Sequence, residues 1–126
     1  LSPPYSSKKI LVADPLMIQR KPLVYLLAKL GYPPASEAEN APQALILLKS
    51  EPHEGLICSP HLENPDGLSL LKRIRESPEL GKLKVMMYFE DEDDDKIVSA
   101  TRAGLDGYLV FPFQENNLET MLTNIW

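Results

Sequence analysis

Asp14 is the first residue in the chain whose type and setting suggest chemistry. It closes the apolar run Ile10-Leu11-Val12-Ala13 and is followed at once by Pro15. A carboxylate there can ligate a metal, or it can accept backbone N–H bonds in the turn that the proline forces. A hard dication needs several charged oxygens, and Pro15 supplies none, so turn capping is the stronger expectation. Ser59 and His61 invite a nucleophile–base reading. Two positions apart at a strand end is poor geometry for it, and no third group is evident to orient the imidazole. His53 falls in the polar stretch Glu51-Pro52-His53-Glu54 and is expected to be solvated. Cys58 lies in Leu56-Ile57-Cys58 and reads as a small core residue rather than a nucleophile. The acidic run Glu90 to Asp95 lacks the glycine and terminal glutamate of a calcium loop. It reads as a solvated helix start, favoured by the helix dipole, with a basic partner surface as the sharper alternative.

These residues sit in a chain of 126 residues, the size of one domain, with 44% hydrophobic and 25% charged side chains. A net charge of -5 leaves no basic excess to neutralise phosphates, which argues against nucleic acid as a partner. No apolar run is long enough to span a membrane, and no signal peptide is evident. One cysteine makes no internal disulfide, which fits a reducing cytoplasm. The chain opens at Leu1 without a methionine, so it is expected to be a piece of a longer protein or a processed form. Its Pro/Ser-rich start reads as a tail or linker over residues 1–7.

Short apolar runs alternate with amphipathic stretches along the rest. Lys9 to Ala13 reads as a buried strand. Leu23, Leu26, Leu27 and Leu30 follow at helical spacing, with Gly31 as the stop. Pro22 predicts that this helix starts late, near residue 22, or is kinked there. A short strand is expected over Ala35 to Ala38. Asn40 is expected to cap a helix bearing Pro42, Ala44, Leu45, Leu47 and Leu48. Gly55 to Ser59 is a third strand, and Pro65-Asp66-Gly67 a turn before a helix with Leu68, Leu71 and Ile74. Lys84 to Phe89 is a fourth strand, with Met86-Met87 as core. A helix opened by the acidic run and ended by Gly104 leads to a fifth strand, Tyr108 to Val110. Asn116 or Asn117 is expected to cap a last helix containing Leu118, Met121, Leu122 and Ile125, with Trp126 exposed at its end. Strand–helix alternation of this kind predicts an α/β fold with a parallel sheet covered on both faces. In such folds the site lies beyond the carboxyl ends of the strands. Asp14, Pro15, Ser59, Phe89 and Phe111 occupy those ends.

Several blocks together resemble the receiver domain of two-component response regulators. They are Ile10-Leu11-Val12-Ala13-Asp14, Ala38-Glu39-Asn40 with Ala44-Leu45, Pro65-Asp66-Gly67-Leu68, Ala103 to Val110, and Pro112-Phe113. The resemblance covers residues 8–126 and implies a receiver-like domain there. It implies a three-layer αβα sandwich with a five-stranded parallel sheet in the order 2-1-3-4-5, the flavodoxin-like fold. It also implies a phosphorylation switch: an acidic pair for Mg²⁺, a phosphoaccepting aspartate, a Ser or Thr, and a lysine. This sequence keeps only Asp14 of those groups. Pro15, Ser59, Phe89 and Phe111 stand at the other four positions, with the family spacing between Phe89 and Phe111 retained.

One charged ligand is too few for Mg²⁺, so no cofactor is expected, with Asp14 the sole metal candidate. An unactivated serine hydroxyl is a weak nucleophile. Two aromatic rings at the Phe89 and Phe111 positions are expected to close the pocket. The resulting expectation is a phosphorylation-independent signalling module that binds another protein and is not an enzyme. The resemblance offers a kinase, an output domain or another receiver as the partner, and homodimerisation as an option. It places the partner face on the fourth helix, fifth strand and fifth helix, around Ile97, Arg102, Tyr108, Gln114 and Leu118. A small-molecule sensor using the apolar former pocket, and a receiver still open to phosphorylation, are the alternatives.

Overall fold

Apart from the short Ser36-Glu37-Ala38 strand, each strand is a mostly apolar run in which consecutive residues point to opposite faces, so both faces must be covered. The computed structural model describes residues 7–90 and 94–126. It contains β1 (Ile10–Ala13), α1 (Met17–Lys29), β2 (Ser36–Ala38), α2 (Ala41–Ser50), β3 (Gly55–Cys58), α3 (Gly67–Glu76), β4 (Lys84–Phe89), α4 (Asp94–Arg102), β5 (Gly107–Val110) and α5 (Glu115–Ile125). All strand pairs are parallel, in the order β2-β1-β3-β4-β5. Leu11, Ala13, Leu56, Cys58, Val85, Met87 and Phe89 face a core closed by α2, α3 and α4. Ile10, Val12, Ile57, Met86 and Tyr88 face the other core, closed by α1 and α5. The expected three-layer sandwich and strand order are therefore observed.

Local signals set several boundaries as expected. The Asn40 side chain accepts from the Gln43 N–H at 2.9 Å, and the Asp66 side chain accepts from the Ser69 N–H at 2.9 Å. Gly104 ends the α4 segment at φ 103°, a conformation that costs other residues energy. The Arg75 guanidinium then donates to the carbonyls of Gly104 and Leu83 and to the Asp106 carboxylate, tying α3 to the entry of β5.

Five expectations are corrected. The first helix begins at Met17, five residues before Pro22, which lies inside it. Pro22 is exposed, so water can meet the carbonyl it leaves unpaired, and burial of Leu23 and Leu27 holds the helix around it. The last helix is capped from Gln114, whose N–H donates to Asn117 Oδ1 at 2.8 Å; Asn117 is thus inside the first turn rather than the cap. The fourth helix begins at Asp94, Glu90 lies outside it, and the rest of that expectation, residues 91–93, falls outside the described residues. The His53 side chain is 1% exposed instead of solvated. Its Nδ1 lies 3.0 Å from the Glu51 carbonyl and its Nε2 3.1 Å from Ser36 Oγ. Trp126 is half-buried: its ring covers Gly55, lies 6.2 Å from that of Tyr32, and has the Lys8 ammonium 5.7 Å above it. Gly55 leaves the space that the indole fills.

Gly67 begins α3 against the β3–α3 loop. A Cβ there would sit 2.8 Å from the Pro60 Cα and closer still to the Ser59 carbonyl oxygen, both backbone atoms with little freedom to move. Gly67→Ala is expected to lower stability by about 2–3 kcal/mol. In urea unfolding the midpoint should fall with the slope unchanged.

Candidate functional site

The carboxyl ends of β1, β3 and β4 converge because the three strands are neighbours in register, Ala13 beside Cys58 and Cys58 beside Met87. Asp14 leaves β1 with its N–H bonded to the Ala38 carbonyl at 3.0 Å, so its side chain is aimed by the sheet itself. The residue is 0% exposed. Its Oδ1 accepts from the Leu16 N–H at 2.8 Å, forming the turn around Pro15, as expected for a capping aspartate. Its Oδ2 accepts the hydroxyl of Tyr88. A carboxylate with no water must find such partners, since an isolated buried anion is prohibitively costly.

Tyr88 is the functional neighbour that sequence reasoning missed. It is 2% exposed and lies on the α1/α5 face of β4, while Phe89 faces the opposite core. Burial, reinforced by the negative carboxylate of Asp14, pushes its phenol far above the usual tyrosine range. The signal was present: a tyrosine inside a buried strand carries a hydroxyl that needs a partner. The Phe111 ring packs edge-on against Tyr88, with centroids 5.4 Å apart and planes at 80°, and Phe113 stacks on Phe111 at 5.1 Å. The expectation that Phe89 and Phe111 together close the site is thus corrected. Phe89 lines the cleft but packs its ring into the other core, 6.3 Å from Tyr108, and Tyr88 takes the inner position.

Ser59 is buried, and its hydroxyl accepts from the backbone N–H of His61 at 3.0 Å. It meets the main chain of His61, so no nucleophile–base pair forms from this contact. The cleft bounded by Gln19, Ser59, His61, Tyr88, Phe89, Glu90 and Phe111 has a volume of about 20 Å³. That is room for about one water molecule. Cys58, one residue before Ser59, is fully buried and its thiol is pushed up to about 12 by desolvation.

Arg20 was also missed. It is buried in α1, and its guanidinium donates to the Asp14 carbonyl and to Glu37 Oε1, both at 2.8 Å. Lys21 approaches the other Glu37 oxygen at 2.7 Å, and Lys21 and then Arg20 hold the Glu37 carboxyl below its usual range. Only a charge-assisted pair keeps a guanidinium inside. The expected partner-face residues are scattered in exposure. Arg102, Tyr108 and Gln114 are exposed and Ile97 is half-buried. Leu118 is 0% exposed, which corrects its place on that face: with Met121 and Leu122 it forms the inward stripe of α5. An open groove of about 700 Å³ runs beside β5, walled by Tyr108, Asn116, Thr120, Met121 and Asn124.

Comparison with known proteins agrees with this architecture. The response regulator receiver domain family model matches residues 10–123. The chain is 32% identical over 118 residues to chemotaxis protein CheY-3 of Vibrio cholerae, covering 94% of this chain and 91% of that protein. It is 30% identical to chemotaxis protein CheY of Pseudomonas aeruginosa, covering 94% and 95%. The signal receiver domain of an HD domain-containing protein from Pseudomonas fluorescens superposes with a TM-score of 0.85 at 28% identity, covering 99% of this chain and 90% of that one.

Tyr88→Phe strands a buried carboxylate oxygen and is expected to cost about 2 kcal/mol at neutral pH. The folded phenol has its pKa raised, so its contribution is complete below the unfolded value near pH 10 and is lost as pH rises beyond it. Urea unfolding of both proteins should therefore show their stability gap closing above pH 10, by about 1.4 kcal/mol per unit at most.

Proposed function

The chain belongs to the response regulator receiver domain family, and from that premise we propose that it is a signalling module that works by protein–protein interaction, without accepting a phosphoryl group. The observation that carries this reading is the state of Asp14. Both of its oxygens are engaged inside the protein, one by the Leu16 N–H and one by the Tyr88 hydroxyl. Family resemblance implies Mg²⁺ at this end of the sheet. The residues here do not fit it: Pro15 offers no carboxylate, Ser59 is neutral, and Asp14 would have to give up two hydrogen bonds. A phosphoryl group would need charge stabilisation, and at the four remaining family positions the chain offers a proline, a serine hydroxyl and two phenyl rings. No enzymatic step is assigned to it.

The proposed partner is a protein: a kinase, an output domain or another receiver. The face formed by α4, β5 and α5 is the favoured contact, through Arg102, Tyr108 and Gln114 beside the open groove. Its lining is uncharged apart from Asp106, whose carboxylate is already held by Arg75 and the Val85 N–H. Depletion of charge is what the centre of a protein interface shows. Sensing of a small molecule in the former pocket draws little support, because about 20 Å³ does not admit one.

Titration with beryllofluoride and Mg²⁺, followed by amide NMR, tests the proposal. No saturable shifts are expected at Asp14, Ser59 and Phe111, and no phosphoryl adduct should form with a small phosphodonor. Saturable shifts there, or stoichiometric phosphorylation, would return the chain to the ordinary phosphorelay class.

A further inference from the structure

A serine and a histidine meet at the end of the sheet opposite Asp14. Ser36 opens β2, the edge strand, and His53 lies two residues before β3. Both strands flank β1, with Ser36 in register with Leu11 and Gly55 with Ile10, so the two side chains come together near the start of β1. His53 Nε2 is 3.1 Å from Ser36 Oγ, and His53 Nδ1 is 3.0 Å from the Glu51 carbonyl oxygen. A carbonyl oxygen only accepts, so Nδ1 carries the hydrogen. In the neutral imidazole Nε2 is then the bare nitrogen, and the Ser36 hydroxyl donates to it.

This is a nucleophile on a base that a third group holds in place. The pairing that Ser59 and His61 do not make is made by Ser36 and His53, 17 residues apart. The His53 side chain is 1% exposed, so bulk water does not compete for Nε2. Ser36 is half-buried on the outermost strand, which leaves its oxygen open to a small reagent. The Glu51 carboxylate lies 3.4 Å from Ser36 Oγ and 3.9 Å from His53 Nε2. Water screens its charge, since Glu51 is half exposed, but its sign favours an imidazolium at His53.

We propose that Ser36 is a modification site, acylated on Oγ by small activated acyl donors such as a thioester or an aryl ester, with His53 as the base. Ser36 Oγ attacks the acyl carbon while its proton passes to His53 Nε2. The bond to the sulfur or oxygen leaving group breaks with its electron pair, and the imidazolium returns the proton to that group. The products are O-acyl Ser36, the free thiol or alcohol, and a neutral imidazole. No donors are assigned to the developing oxyanion, so the acyl donor must bring a good leaving group. The reaction is therefore a single acylation of the chain and not a turnover. It stands apart from the Asp14 site and does not depend on how that site treats phosphoryl groups.

Incubation with p-nitrophenyl acetate, followed by tryptic mass mapping, tests this. The peptide from Leu30 to Lys49 holds Ser36 as its one serine, and fragmentation separates that residue from Tyr32. An acetyl group on Ser36, removable by hydroxylamine as an ester is, should form in the folded chain and not in chain unfolded by guanidinium. His53→Gln should slow its formation about a hundredfold, the low end of a general-base contribution. Ser36→Ala should abolish it, with acetylation of surface lysines unchanged in both variants. The folded-against-unfolded comparison uses the native sequence, so it decides the matter even where His53→Gln disturbs the loop. No acetyl group on Ser36, equal acetylation of folded and unfolded chain, or an unchanged rate in a folded His53→Gln variant would overturn the proposal.

Discussion

A carboxylate at the end of β1 has no access to water, and the rest of the site is arranged around that constraint. Desolvating an anion is costly, so every oxygen of Asp14 must be met by a donor. The Leu16 N–H meets one, which fixes the turn at Pro15 and launches α1. The Tyr88 hydroxyl meets the other, which fixes the rotamer of a residue from β4. Arg20 then caps the carbonyl of the same residue and carries the linkage outward to Glu37 on β2. Three strands and one helix are cross-linked through a single side chain and its own carbonyl.

The same bond sets where the carboxylate points. In a metal-loaded acidic pocket, carboxylate oxygens are directed at a cation and its waters. Here they are directed at a backbone amide and a phenol, and Phe111 seals the phenol from the far side. Low local polarity strengthens the Tyr88–Asp14 hydrogen bond, and that bond in turn makes the aromatic filling tolerable. Phe89, turned into the other core, brings the packing to the back of Tyr108 on the β5 surface. The site and that surface are thus connected by packed rings.

The opposite end of the sheet is closed by different means. Trp126 lies over Gly55, and His53 is held between Glu51 and Ser36. Arg75 binds the α4–β5 connection from α3. These contacts leave the loops at the carboxyl ends of β1, β3 and β4 as the place where side-chain identity, rather than backbone closure, defines the surface.

The sequence by itself determined the alternation of strands and helices, the cap at Asn40, the turn at Pro65-Asp66-Gly67, the stop at Gly104 and the turn-capping role of Asp14. Those features rest on periodicity and on partners within a few residues, which a linear reading sees directly. The positions of Asp14, Pro15, Ser59, Phe89 and Phe111 at or just beyond strand ends were legible for the same reason. Tertiary structure alone decided that Tyr88 meets Asp14, 74 residues away, that Arg20 is buried against Glu37, and that Leu118 turns inward. It also decided that α1 runs through Pro22, because burial of Leu23 and Leu27 outweighs the local cost of the proline. Such choices are set by which buried polar group lacks a partner once the sheet has assembled, and that need has no signature in local spacing.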